Sequence, residues 1–194
     1  MPALLDDRAH EWTAAEVRRL RERAGPGVTF ECVDGELLVS PGPSITHERA
    51  FMRLVRRLAD YVDGPPRIGE TLGSRSDLIL DTKTLVQPDV FVAPLVNGRR
   101  PESLEDCKRF LLIVEVLSPN SKRADRLLKR RKYQRVADEY WVVDTDERRI
   151  ERWTPSGEWP ELLTTVAAWH PDGRTVPLTI DLPDFFRDAH GQTP

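Results

Sequence analysis

FLLIVEVLSPNSKRADRLLKRRKYQ, residues 110–134, joins an apolar strand to a strongly basic segment. Phe110 to Val114 reads as a strand that is apolar on both faces, as expected at the centre of a sheet. Glu115 then interrupts the run before Val116 and Leu117 resume it. A carboxylate in a buried strand is costly to desolvate unless a partner compensates for it. The loop Ser118-Pro119-Asn120-Ser121 turns the chain, and a helix is predicted from about Lys122 to Val136. On that helix Asp125, Lys129 and Tyr133 are spaced i, i+4, i+8 and share one face. Lys122, Arg123, Arg126, Lys129, Arg130, Arg131, Lys132 and Arg135 face only Asp125 in charge. A basic face of this kind suits phosphate groups. It equally suits a solvated helix paired with acidic neighbours.

The flanking sequence supplies the rest of the fold. Thr13 and Glu16 fit a capping box for a helix ending before Gly25-Pro26-Gly27. VTFECVDGELLVS reads as two strands joined at Asp34-Gly35. Ser44 caps a second helix, whose Phe51, Leu54, Val55, Leu58 and Val62 follow helical spacing. SDLILD and LVQPDVFVA are expected to form a strand pair, and EYWVVD the strand after the basic helix. Asp144 to Glu147 turns into RRIERWT, and short strands and loops follow, with LPDFF as an apolar plug. The order predicts an α/β or α+β fold, a mixed sheet flanked by helices. A single domain over 1–194 is expected, with its core at about 28–145, an N-terminal helix and a C-terminal extension of strands and loops.

Composition narrows the function classes. The 194 residues are 39% hydrophobic and 31% charged, as in a soluble globular chain, with no apolar run of membrane-spanning length. MPALLDDRAHEW lacks the basic start and apolar stretch of a secretory signal. Cys32 and Cys107, outside any CxxC pair, suggest neither a disulfide framework nor a zinc site, so the expected location is cytoplasmic. The net charge of −3 does not mark a general nucleic-acid binder, although it conceals the basic cluster.

Chemistry is expected where two strand acids converge. Asp89, after Pro88, and Glu115 lie on successive strand-like segments. On neighbouring strands they would form a hard-oxygen site suited to Mg²⁺. Lys129, from the following helix, is the candidate to orient an attacking water, with Lys122 and Lys132 as neighbouring alternatives. Lys129 also reads as a plain i, i+4 partner of Asp125. Tyr133 reads as a packing residue whose hydroxyl finds one partner, and Tyr140 and Trp141 as core. Asp77 is either a third acid or a strand start. His10, His170 and His190 have no ligand spacing.

In order, QPDVFV, IVEVLSPNSKRADRLLKRRKYQ and DEYWVVD resemble the Uma-type family of putative restriction endonucleases, within the PD-(D/E)XK nuclease-like superfamily. VDGELLVSPGPSITHERAFMRLVRRL resembles that family's N-terminal region, and the resemblance spans roughly residues 28–145. It implies a restriction-endonuclease-like fold and Mg²⁺-dependent hydrolysis of DNA, with Mn²⁺ as a substitute. Asp89 and Glu115 would be the catalytic, metal-binding acids. The superfamily spelling would put a lysine at position 117, where this chain has Leu117. The Uma-type pattern instead keeps an acid, a lysine and a tyrosine on the next helix, matched by Asp125, Lys129 and Tyr133. His47 matches the family's N-terminal histidine, a candidate base or phosphate contact, and its local alternative is a helix-start hydrogen bond. Lys122, Arg123, Arg126 and Arg130 would approach the DNA backbone, and cleavage of both strands would call for a homodimer. The alternative is a nuclease fold serving as a binding or regulatory module without cleavage.

Overall fold

The computed structural model describes residues 10–24, 27–73, 76–118 and 124–192. In chain order they form α1 (Ala14–Arg23), β1 (Val28–Val33), β2 (Glu36–Pro41), α2 (Ile45–Asp63), β3 (Gly69–Gly73), β4 (Leu78–Asp81), β5 (Thr84–Val86), β6 (Val90–Pro94) and β7 (Phe110–Val116). A π-helical segment, Ala124–Lys129, runs into α3 (Arg130–Val136). β8 (Ala137–Asp144), β9 (Arg149–Trp153), β10 (Glu161–Leu163), β11 (Val166–Trp169), β12 (Leu178–Asp181) and α4 (Leu182–Ala189) complete the α+β fold. The chain groups into two compact units, one of residues up to Gly42 with Asp77–Val86, the other of Pro43–Ser76 with Gln87 onward.

In the first unit α1 packs on a four-stranded antiparallel sheet of order β2-β1-β5-β4. The capping box of α1 is formed: the Thr13 hydroxyl accepts from the Glu16 amide at 3.3 Å, and Glu16 accepts from the Thr13 amide at 2.8 Å. Val33 pairs with Glu36 across the two-residue turn Asp34-Gly35, both at positive φ (50° and 84°). That geometry matches the strand twist and explains the Asp-Gly pair. Ala14, Val17, Cys32 and Leu85 form the unit's core.

The second unit holds a six-stranded sheet of order β10-β9-β8-β7-β6-β3, antiparallel except where β7 and β8 run parallel. A parallel pair needs a crossover, here the π-helical segment and α3. Side chains alternate between the faces. Val90, Val92, Leu112, Val114, Val116, Trp141 and Val143 join the main core with Ala50, Leu54, Leu58 and Val62 of α2 and Phe185 and Phe186 of α4. The opposite face carries Ile113, Glu115 and Tyr140, and Tyr133 of α3 packs against Tyr140 with ring centroids 5.0 Å apart. Helices thus cover both faces, as the apolar character of β7 requires.

Two expectations are revised. LVQPDVFVA is not one strand paired to SDLILD: β4 pairs with β5, whereas β6 pairs with β3 and β7 in the other sheet. Pro88 has no N–H to give to a ladder and ends the first strand, so three residues separate strands of two sheets. The C-terminal extension is not strands and loops alone. LPDFF puts Leu182, Phe185 and Phe186 into the core as the expected apolar plug. It does so as the start of α4, which Asp181 caps by accepting from the Asp184 amide at 2.8 Å.

β3 borders the sheet where no side chain fits. A Cβ on Gly69 would lie 2.3 Å from the carbonyl oxygen of Ala93, on the adjacent strand. Neither backbone can yield without breaking the Gly69–Pro94 pairing. Gly69→Ala should therefore cost about 1–3 kcal/mol, as overpacking does, read as a lower urea midpoint. An unchanged midpoint would contradict the close approach.

Candidate active site

The ladder between β6 and β7 pairs Val90 with Val114. Asp89 immediately precedes β6 and Glu115 immediately follows Val114 in β7, so both acids lie at the same end of the strand pair. The chain at Asp89 leaves the ladder there, and the hydrogen bonds around it bring the two acids together. The Asp89 carboxylate folds over the end of its own strand and accepts from the Val116 amide at 2.7 Å through Oδ2. The Asp89 amide in turn lies 3.4 Å from Glu115 Oε2.

Three elements close on this pair. From α2, His47 Nε2 lies 3.2 Å from Asp89 Oδ2. The first turn of α2 aims the imidazole there, with the His47 amide donating to the Ser44 hydroxyl at 3.2 Å. Burial pulls the His47 pKa down, but the hydrogen bond and charge of Asp89, with Glu48 and Asp125, outweigh it and the net shift is upward. From the π-helical segment, Lys129 Nζ donates to Glu115 Oε1 at 3.1 Å and lies 3.2 Å from Asp125 Oδ1. From α3, the Tyr133 hydroxyl donates to the same Glu115 Oε1 at 2.9 Å. Glu115, Asp125 and Lys129 are only 3%, 2% and 4% exposed. The partners that Glu115 demanded as a buried strand charge are therefore an ammonium and a phenol from the crossover that follows it.

Leu117, where the superfamily spelling expects lysine, is buried, and its amide extends the ladder to the Val143 carbonyl at 2.9 Å. Asp77 belongs to the first unit, where it pairs with Arg18 and Arg21. Arg126 is bound within the protein, donating to both oxygens of Glu151 at 2.9 and 3.1 Å and to Asp144 at 2.6 Å. These acids raise its already high pKa, the Glu151 hydrogen bond most strongly and against the effect of burial. Arg130 stacks on Trp153, 4.3 Å from the ring centre. Arg131 and Arg135 are exposed on α3. Lys122 and Arg123 lie outside the described residues.

Sequence reasoning assigned Tyr140 to the core alone. Its hydroxyl donates to the Asp125 backbone carbonyl at 3.1 Å, tying β8 to the π-helical segment. Burial, followed by the Asp125 and Glu115 charges, raises its pKa well above that of an ordinary phenol, so the hydroxyl remains a donor. A tyrosine on the Glu115 face of β8 was the available signal.

The donor chemistry suits a hard divalent cation. Among the described residues, the Asp89 and Glu115 carboxylates come together with the His47 imidazole beside Asp89 and the Lys129 ammonium beside Glu115. Nothing among the described residues hydrogen-bonds Asp89 Oδ1, and the Asp89 side chain is partly exposed. No cluster of three or more His, Cys, Asp or Glu side chains among the described residues has metal-binding spacing. Mg²⁺ does not need one, since one or two carboxylates with water or phosphate oxygens suffice. No helix among the described residues is long and apolar enough to cross a membrane.

The chain has a nuclease-like fold, similar to a crystal structure described as "a putative nuclease belonging to DUF820" from Anabaena variabilis. The TM-score is 0.63 at 18% identity, over 89% of this chain and 98% of the other. No curated protein matches the chain. A family profile described as "Putative restriction endonuclease" matches residues 14–189, from the start of α1 to the end of α4. With that span, the chain belongs to the Uma2 family of putative restriction endonucleases.

Proposed function

We propose that this nuclease-family chain is a Mg²⁺-dependent endonuclease that hydrolyses phosphodiester bonds in DNA, with Mn²⁺ as a substitute. The observation that carries the reading is the meeting of Asp89 and Glu115 at one end of the β6–β7 pair, with Lys129 at 3.1 Å from Glu115. Asp89 and Glu115 would hold the cation, with Asp89 Oδ1 as the open donor. When bound, such a cation lowers the pKa of a coordinated water and offsets charge developing on the phosphodiester.

The protein's own groups divide the remaining work. Lys129 keeps a fixed positive charge beside Glu115, where it orients the attacking water toward phosphorus. Tyr133 holds Glu115 in one rotamer, and His47 holds Asp89 so that its second oxygen faces outward. Phosphate contacts position a duplex without reading its sequence, and the exposed Arg131 and Arg135 are available for them. The family description supports DNA as the substrate. Cutting both strands takes two such sites, so the active form is a homodimer. The unpaired cysteines Cys32 and Cys107 support action in a reducing cytoplasm.

The test incubates purified protein with supercoiled, linear and single-stranded DNA, and with RNA, under Mg²⁺, Mn²⁺ or EDTA. DNA cleavage that needs the metal supports the reading. Cleavage that survives both EDTA and Glu115→Ala sinks the mechanism. DNA binding without cleavage under either metal replaces it with a non-catalytic binding module.

A further inference from the structure

Among the described residues, Glu115 and Asp125 are anionic neighbours of Lys129 of unequal standing. Glu115 is committed to the reaction site and shares its Oε1 between the ammonium and the Tyr133 phenol. Asp125 lies one turn back on the same segment as the lysine, buried, with Oδ1 3.2 Å from Nζ. That contact is a charge contact rather than an aligned hydrogen bond, so it holds the ammonium without fixing its hydrogen directions. The Asp125 backbone is itself fixed, because the Tyr140 hydroxyl binds its carbonyl from β8.

Lysine has a flexible four-carbon stem, and its head is a compact point charge rather than a rigid fork. A buried ammonium on such a stem stays in place only while an anion remains beside it. Glu115 alone holds the ammonium weakly during the reaction, because its charge is shared with the Tyr133 phenol and with the proposed metal. The π-helical turn, a distortion frequent at functional sites, presents Lys129 toward the buried Glu115 carboxylate with Asp125 beside the ammonium.

We infer that Asp125 is the positioning residue for Lys129, holding its ammonium at the site while Glu115 is engaged elsewhere. Asp125 acts through the lysine and touches neither metal nor substrate. Its catalytic consequence rests on the nuclease reading, whereas its mechanical consequence does not.

Two measurements separate the two. The first is limited acetylation of the full-length protein with acetic anhydride, read by mass spectrometry as modification of Lys129 relative to exposed Lys83. In the wild-type chain Lys129 is protected. In Asp125→Asn it should react at least about tenfold faster, because a misplaced charged side chain regains its freedom, while Asp125→Glu should keep near wild-type protection. A folded Asn variant with wild-type protection overturns the inference. Should the Asn variant fail to fold, the Glu variant decides alone: protected Lys129 supports the inference, and freely acetylated Lys129 overturns it.

The second measurement is steady-state cleavage of DNA by Asp125→Asn, Lys129→Ala and the double variant. Asp125→Asn should lower kcat about ten- to hundredfold, the scale of a misplaced catalytic group, with KM nearly unchanged. In the Lys129→Ala background the same change should cost nothing further, since residues acting as a unit are non-additive. A loss of the same size in that background would assign Asp125 a general structural role and overturn the inference. If the wild-type chain cleaves nothing, the nuclease reading fails, and the acetylation result still decides what Asp125 does.

Discussion

Replacing Glu115 with glutamine is expected to reduce metal-dependent cleavage about a thousandfold and leave the fold in place. Three decades of rate correspond to about 4 kcal/mol of barrier, within the several kcal/mol that a bound cation supplies to developing charge. The amide keeps the shape of the carboxylate and an oxygen to accept from Tyr133, but it loses the charge that holds a hard cation. Lys129 retains Asp125 at 3.2 Å, so no ammonium is stranded in the interior. Two readings check this: kcat/KM on DNA, and Mn²⁺ binding by calorimetry, which should vanish in the variant. Cleavage within about tenfold of wild type, roughly 1.4 kcal/mol, would remove Glu115 from the reaction.

Lys129→Met is expected to damage stability as well as activity. The thioether fills much of the lysine stem's volume but leaves Glu115 and Asp125 at 3% and 2% exposure without the ammonium between them. Breaking a buried ion pair by removing one partner costs about 3–5 kcal/mol. At about 2–4 °C per kcal/mol for a chain of this size, the melting midpoint in EDTA should fall by roughly 6–20 °C. Mg²⁺ should then raise the midpoint of the variant more than that of the wild type, because a cation at Asp89 and Glu115 restores part of the missing charge. Equal midpoints in EDTA would mean that the two acids are compensated without Lys129. A larger Mg²⁺ shift in the wild type would mean that the metal and the lysine do not share an electrostatic field.

Glu115 shows how far the sequence could be read. One acid in the apolar run 110–117 demanded a partner, and the spacing of Asp125, Lys129 and Tyr133 singled out the side chains now found around it. The elements flanking it were legible for similar local reasons: a capping box at Thr13, an Asp-Gly turn at 34–35 and the helical spacing of α2.

Longer-range facts were not legible. Arg126 reads as a solvent-facing charge because nothing nearby in sequence shows that Asp144 and Glu151, 18 and 25 residues on, will meet its guanidinium. The assignment of β5 and β6 to different sheets rests on one missing N–H at Pro88, which pattern alone treats as a small break. The π turn is hidden for another reason. Its side chains have the spacing of an ordinary helix, and only the backbone partners differ.

That turn also separates two kinds of failure. The strands of the main sheet carry the cooperative core, whereas Lys129 rides on a short connection between β7 and β8, held by a few buried polar contacts. Segments held in this way open at lower free energy than the core. A lysine built into the strand would persist until the sheet itself came apart. Mounted on the crossover, it can leave while every strand remains paired, so mild heating should silence the molecule before it melts.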